Sequence, residues 1–145
     1  MFTVAKRTKQ IEASRLIQRL LNRSVPSILG LKGECRAESR CNRTMPVILA
    51  PVEKNSIVVD QAMYALTKDL NGHGLALVLN QPLKADKIVV GFWREADPAF
   101  VLGDVRQNLP FGGGFWQIGI ELREVPSHDF PGLNNLACRA VLLVP

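Results

Sequence analysis

The sequence has 145 residues, of which 47% are hydrophobic, and a formal net charge of +5 at pH 7. A chain of this length can bury a hydrophobic core without disulfides or metals, so one folded domain is expected. No apolar run approaches the roughly 18 residues that a membrane-spanning helix needs, and a transmembrane segment is therefore not expected.

The charge is unevenly distributed along the chain. Residues 1–45 contain ten Lys/Arg and three acidic residues, a net charge of +7, whereas residues 46–145 contain eight and ten, a net charge of −2. The sequence therefore predicts a basic N-terminal helix and linker over residues 1–45 and a nearly neutral globular domain over residues 46–145.

Residues 5–23 have the pattern of a basic amphipathic helix. The apolar side chains at positions 11, 17, 20 and 21 fall on one side of such a helix. This pattern fits a mitochondrial transit peptide, an arm that neutralises RNA phosphates, or a helix that packs on its own domain or on a partner. The candidate nucleic-acid-binding residues are Lys6, Arg7, Lys9, Arg15, Arg19 and Arg23.

The cysteines argue against a secreted disulfide framework. Cys35, Cys41 and Cys138 are an odd number, and no secretory signal precedes them, which predicts an intracellular, reducing location. Cys35 and Cys41 have no second close pair with which to complete a zinc site. We therefore expect no metal and no cofactor.

The best-defined structural signal lies between residues 70 and 83. Asn71-Gly72 suits a tight turn, and Leu75–Leu79 has the length of a strand that is buried on both faces. Further strands are expected from apolar runs at 46–51, 99–102, 117–125 and 137–144, and residues 86–93 fit either a strand or the start of a short helix. Residues 56–68 fit either a strand or a strand that becomes a helix, and residues 103–110 are expected to be a polar segment. The predicted fold is a single small β-rich domain, of the α/β or mixed α+β class, with a basic N-terminal helix.

No set of residues in the sequence forms a catalytic constellation. His73 lies between two glycines, where an exposed imidazole suits general-base chemistry, but no carboxylate partner is evident and a turn residue is the simpler interpretation. Ser127-His128-Asp129 are neighbours in sequence and point in different directions, so they do not form a triad.

Gly112-Gly113-Gly114 lacks the Lys-Ser/Thr of a phosphate loop and suits a close backbone approach to a ligand or to another strand. The paired aromatic residues Phe92, Trp93, Phe115 and Trp116 fit either base stacking or a core. The candidate ligand-binding or structural-turn residues are Gly72, His73, Gly74, Asn80, Gly112, Gly113 and Gly114.

Residues 46 to about 125 resemble the AlgH/YqgE family of small bacterial and organellar proteins. The similar segments are an apolar strand that ends in Ala-Pro (residues 47–51), a glycine turn and strand that end in Asn-x-Pro-Leu (residues 72–83), and an aromatic-Gly-Gly element (residues 111–114). The resemblance implies an α/β or mixed β fold without an accepted catalytic site, and a link of some members to transcriptional regulation.

The chain also departs from the pattern of that family. Lys68 stands where the family usually has His before the turn, and Gly114 stands where Pro is typical. The chain ends at Pro145, before the customary C-terminal part of the family.

The function expected from these features is that of a non-enzymatic interaction or regulatory module. One form of it is a small subunit of an organellar, mitochondrial ribonucleoprotein that contacts RNA through its basic arm and contacts protein partners through its folded surface. Two alternatives remain: a viral structural protein with a genome-binding arm, and a small hydrolase-like enzyme that uses His73.

Overall fold

The computed structural model describes residues 44–70, 73–92 and 98–141. These residues form seven β-strands, one 3-10 turn and one α-helix. In chain order the elements are β1 (Pro46–Glu53), β2 (Ser56–Ile57), the 3-10 turn (Val59–Gln61), β3 (Met63–Leu70), β4 (Gly74–Leu79), β5 (Lys87–Phe92), β6 (Ala99–Gly112), β7 (Phe115–Glu124) and α1 (Leu133–Val141).

The six long strands close into an antiparallel barrel in the order β1-β3-β4-β7-β6-β5. Closure follows from the two partners of β1, because Ile48 pairs with Tyr64 of β3 on one side and with Gly91 of β5 on the other. Among the described strands, the short β2 pairs with the end of β1 alone. The predicted α/β or mixed α+β class is therefore wrong, because every long strand has antiparallel neighbours and only one helix accompanies them in the described part of the chain.

Alternate residues of the strands fill the interior of the barrel. A continuous cluster of buried side chains joins all six strands and includes Leu49, Leu77, Val90, Val101 and Ile118. Side chains alternate between the two faces of a strand, so each strand contributes every second residue to this core. The interior of the barrel is therefore filled by side chains from all six long strands.

A second, smaller core lies outside the barrel, between α1 and the outer faces of β1 and β5. Ile48 and Val89 are buried there against Leu133 and Leu136 of α1. These two helix residues are three positions apart, so they lie on one face of the helix. Because α1 covers this side, β1 and β5 are buried on both faces and read in the sequence as continuous apolar runs.

Three strand predictions differ from the structure. Residues 137–144 were expected to be a buried strand, but α1 occupies 133–141, and an apolar run of this length does not distinguish a helix from a strand. Residues 103–110 were expected to be a polar segment, but β6 continues through them to Gly112. Residues 75–79 were expected to be buried on both faces, but Ala76 and Val78 of β4 are half-buried because nothing in the described chain covers them.

Several predicted features lie outside the described residues. They are the basic N-terminal helix, the Asn71-Gly72 turn and the cysteines at positions 35 and 41. Among the residues that are described, no helix is long and apolar enough to cross a membrane.

Candidate interaction surface

The outer face of β3, β4, β7 and β6 carries large apolar side chains that are exposed to solvent. Five such side chains are between 45% and 49% exposed: Tyr64, Leu66, Leu109, Phe111 and Phe115. We refer to these five residues as the apolar platform. Scattered apolar residues are normal on a protein surface, so their arrangement decides whether they form a single site.

The strand register brings platform residues from opposite sides of the sheet into one row. Leu66 pairs with Val78, Val78 with Gln117, and Gln117 with Leu109, across four neighbouring strands. Paired residues point to the same face of a sheet, so these four side chains form a continuous band. The platform is therefore one surface, with half-buried Val78 and Gln117 between its exposed leucines.

The tip of the β6–β7 hairpin borders the same surface. The ring centroid of Phe111 lies 5.7 Å from Nζ of Lys68, although β4 and β7 lie between β6 and β3 in the sheet. A lysine ammonium over an aromatic ring is attracted by the negative face of the ring, which helps to hold Phe111 against the β3 side.

The three glycines at this hairpin tip allow the backbone to adopt the positive φ angles of the turn. Gly112, Gly113 and Gly114 have φ values of +104°, +63° and +86°, a region that other residues rarely adopt. A Cβ at Gly112 or Gly114 would meet nothing within 4 Å. No other strand of the described chain approaches these two glycines closely. Their conformation turns the chain and presents Phe111 and Phe115 on either side of the tip.

Among the described cations that pair with carboxylates, Lys68 borders the platform, whereas Arg106 and Arg123 lie toward the other end of β7. Nζ of Lys68 lies 3.8 Å from Oδ2 of Asp69, and Nη2 of Arg106 lies 2.6 Å from Oε1 of Glu121. Arg123 donates from Nε to Asp104. The platform is thus apolar and close to electrically neutral.

A polar pocket of about 320 Å³ lies on the same outer face, at the other end of β4. His73 is exposed at its rim, and Arg106, Gln107 and Glu121 line it. The side chain of Gln107 lies over Gly119, where an added Cβ would come within 2.9 Å of its Cγ. The exposure expected for His73 is confirmed, and its backbone carbonyl accepts a hydrogen bond from the amide of Leu122.

The remaining predicted site residues do not gather at one place. Gly74 begins β4 beside the pocket, and a Cβ there would lie only 2.7 Å from the carbonyl oxygen of Ile120. Asn80 is exposed just beyond the other end of β4. Gly72 and the six basic residues of the N-terminal helix lie outside the described residues.

The segment Ser127-His128-Asp129 forms an exposed turn before α1. Ser127 Oγ donates to Oδ1 of Asp129 at 2.6 Å. This hydrogen bond is the main cause that lowers the pKa of Asp129 below its ordinary value, and a hydrogen bond from the backbone is the second. The hydroxyl is engaged by the carboxylate and not by His128, which is the reverse of a nucleophile-base arrangement.

Within the described part of the chain, no group of three or more His, Cys, Asp or Glu residues could hold a metal ion. Cys138 is exposed on α1.

The sequence interpretation missed the residues that dominate this surface. Leu66, Leu109 and Phe111 stand in segments that were interpreted as structural or polar, and only Phe115 was considered as a contact residue. The available signal was weak: Leu109 and Phe111 flank Pro110 in an otherwise polar stretch. Their grouping depends on register across strands that are far apart in the chain.

Comparison with known proteins assigns no family to this chain. No family model matches it, and no curated protein matches it. Among solved structures it is similar to the Bacillus subtilis inhibitor of motility (MotI/DgrA), with 15% sequence identity and a TM-score of 0.48. The similarity covers 71% of this chain and 49% of that chain, so the chain spans about half of the length of that neighbour. The resemblance to the AlgH/YqgE family stays a prediction.

Proposed function

We propose that this protein is a non-enzymatic interaction module that docks a protein partner on its apolar platform. The observation that carries this proposal is the band in which the register aligns exposed Leu66 and Leu109 with half-buried Val78 and Gln117 across four strands. Exposed apolar patches of this kind are typical of protein interfaces, whose centres are enriched in aromatic residues and depleted in charge.

The charge distribution around the platform favours a protein over a nucleic acid as its occupant. Nucleic-acid affinity comes largely from Lys and Arg that neutralise phosphates. Lys68, which borders the platform at Phe111, already lies within 4 Å of the carboxylate of Asp69. A partner with an apolar strip would displace water from Leu66, Leu109 and Phe115 without having to break this ion pair.

The proposal is tested by site-specific photocrosslinking in the native source. A photoreactive residue at position 109 should capture one discrete protein, whereas the same residue at the exposed position of Asp60, outside the platform, should not. The proposal requires a partner protein other than this chain. It is contradicted by a crosslink to a second copy, to residues 1–43 of the same chain or to RNA, and by the absence of any crosslink.

The captured partner should then bind the purified protein through the platform. We expect Leu66→Ser and Phe115→Ser each to weaken binding by about tenfold or more, the loss typical of residues at the centre of an interface. Val125→Ser is a matched control, because Val125 is exposed but follows the opposite end of β7. Equal losses for all three variants, measured by titration calorimetry, would show that the platform is not the interface.

A second role, contact with RNA through residues 5–23, is proposed from the charge difference between the two parts of the chain. The net charge of +7 on residues 1–45 contrasts with −2 on the remainder. This contrast would let the arm bind phosphates while the folded surface docks on protein, as in a subunit of an organellar ribonucleoprotein.

RNA binding by the arm should be strongly salt-dependent. Replacing Arg15, Arg19 and Arg23 with Gln should reduce the slope of log K against log salt by about 2, since each phosphate contact on a single strand contributes roughly 0.7. Fluorescence anisotropy with a labelled oligouridylate measures this slope, and Lys68→Gln serves as the control on the folded domain. Binding that is insensitive to salt would argue against the role. If the protein purified from its native source lacks residues 5–23, these residues have been cleaved off and are a transit peptide instead.

A further inference from the structure

Three lysines gather at one end of the barrel, around the turn between β1 and β2 and the start of β5. Lys54, Lys84 and Lys87 are all exposed and line an open depression of about 480 Å³. Glu53 and Asp86 line the same depression. We refer to this site as the tri-lysine depression.

The position of two of these lysines is set by paired strands. Lys54 and Asn55 form the two-residue turn between β1 and β2, with φ values of +52° and +60°. Such turns match the twist of the flanking strands and hold their two residues in a defined conformation. Lys87 begins β5, whose next residue, Ile88, pairs with Pro51 of β1. The turn and the start of β5 therefore lie at the same end of the barrel.

The third lysine lies on a loop that is anchored on both sides. The amide of Leu83 donates to Oδ1 of Asn108 at 2.8 Å, and Nδ2 of Asn108 donates back to the carbonyl of Leu83 at 3.1 Å. The amide of Val105 donates to the carbonyl of Asp86 at 2.8 Å. The backbone around Lys84 is thus ordered before any ligand arrives, which lowers the entropic cost of binding.

The other cations of the described chain are engaged by protein groups. Lys68, Arg106 and Arg123 lie within 4 Å of carboxylates, and Nη1 of Arg139 donates to the carbonyl of Val59. Within the described ranges, no ion pair joins Lys54, Lys84 or Lys87 to a carboxylate. Among the described residues, the three lysines without such an ion pair are those that line this one depression.

We propose that the tri-lysine depression binds adjacent phosphate groups, supplied by a nucleic-acid backbone or by free polyphosphate. Lysine is a strong phosphate ligand, and the amide of Asn55 adds a neutral hydrogen-bond donor. Three ammonium groups on a pre-ordered frame match a ligand with several charges better than a single small anion. The carboxylates of Glu53 and Asp86 repel an anion and therefore lower the affinity of the site. Neutralising either carboxylate should strengthen phosphate binding.

The test uses the full chain and a residue-resolved readout, because the basic N-terminal segment would also attract polyphosphate. Tripolyphosphate and, separately, a short oligouridylate are titrated at constant ionic strength while backbone amide NMR shifts are followed. We expect saturable shifts at Lys54, Asn55, Lys84 and Lys87. Saturation with both probes identifies phosphate chemistry in general, and saturation with the oligonucleotide alone identifies the nucleic-acid backbone as the source.

Substitutions that remove a positive charge and substitutions that remove a negative charge should have opposite effects on phosphate binding. Lys54→Gln, Lys84→Gln and Lys87→Gln should each weaken binding about two- to fivefold, the range of exposed ion pairs. Glu53→Gln and Asp86→Asn should strengthen it by a similar factor, and Lys68→Gln should leave it unchanged. Shifts that do not saturate, that spread evenly over the surface, or that are insensitive to all of these substitutions would overturn the proposal.

Discussion

Replacing Phe92 with alanine should lower the free energy of unfolding by about 3–5 kcal/mol, the usual range for a phenylalanine removed from a core. Phe92 is only 1% exposed and lies in the inner core at the end of β5. Its strand neighbours there are Val47 and Ala99. The small side chain of Ala99 cannot fill the space that the ring would leave, so a cavity is expected to persist.

Urea denaturation monitored by circular dichroism measures this loss, and Phe115→Ala is the matched control. Phe115 is 48% exposed, so its truncation should change stability by no more than about 0.5 kcal/mol. If Phe92→Ala fails to fold, Ile88→Val in the same strand provides a milder variant with an expected loss of about 0.5–1.5 kcal/mol. Equal stability of the two phenylalanine variants would contradict the position of Phe92 in the core.

Gly132→Ala is the second substitution with a large expected effect, because it combines strain with a steric clash. Gly132 has φ of +89°, and a Cβ there would lie 2.9 Å from both the Cβ and the carbonyl oxygen of Ile57. The left-handed conformation alone costs about 1–3 kcal/mol for alanine. The clash adds to this cost, because Ile57 is held in place by a hydrogen bond from its amide to the carbonyl of Pro131.

Gly112→Ala separates the two contributions. Gly112 also has positive φ, at +104°, but a Cβ there would meet nothing within 4 Å. We therefore expect Gly132→Ala to be clearly more destabilising than Gly112→Ala in the same urea experiment. Equal losses would mean that α1 shifts away from Ile57 at no cost, which would contradict tight packing of the outer core.

The local sequence pattern predicted several strands correctly. The apolar run at 46–51 corresponds to β1, and the alternation at 117–125 corresponds to β7. Of the two interpretations of residues 86–93, the structure has the strand, as β5. These predictions succeed because strand formation and the choice of inward face depend on residues that are close together in the chain. The same pattern could not reveal that β1 pairs with β5, because that contact closes the barrel between strands about forty residues apart.

The sequence predicts burial on both faces for β4, but the structure has it for β1 and β5. The difference depends on the position of α1, which is distant in the chain. β1, β4 and β5 all read as continuous apolar runs, but α1 covers the outer side of β1 and β5 only. The outer residues of β4, Ala76 and Val78, remain half-buried, because no element of the described chain packs over them. A run of apolar residues therefore shows that a strand is suited to burial on two faces, and the packing of distant elements decides whether both are covered.

The sequence by itself determined the division of charge between residues 1–45 and the globular part, the strands with clear periodicity, and the lack of an evident catalytic motif. Only the tertiary structure decided that the strands close into a barrel, that residues 133–141 form a helix, and which side chains meet in the apolar platform and the tri-lysine depression. The physical reason is that periodicity is a property of neighbouring residues. A surface site, by contrast, is assembled by register and closure from residues such as Lys54 and Lys87, or Leu66 and Leu109, that lie far apart in the chain.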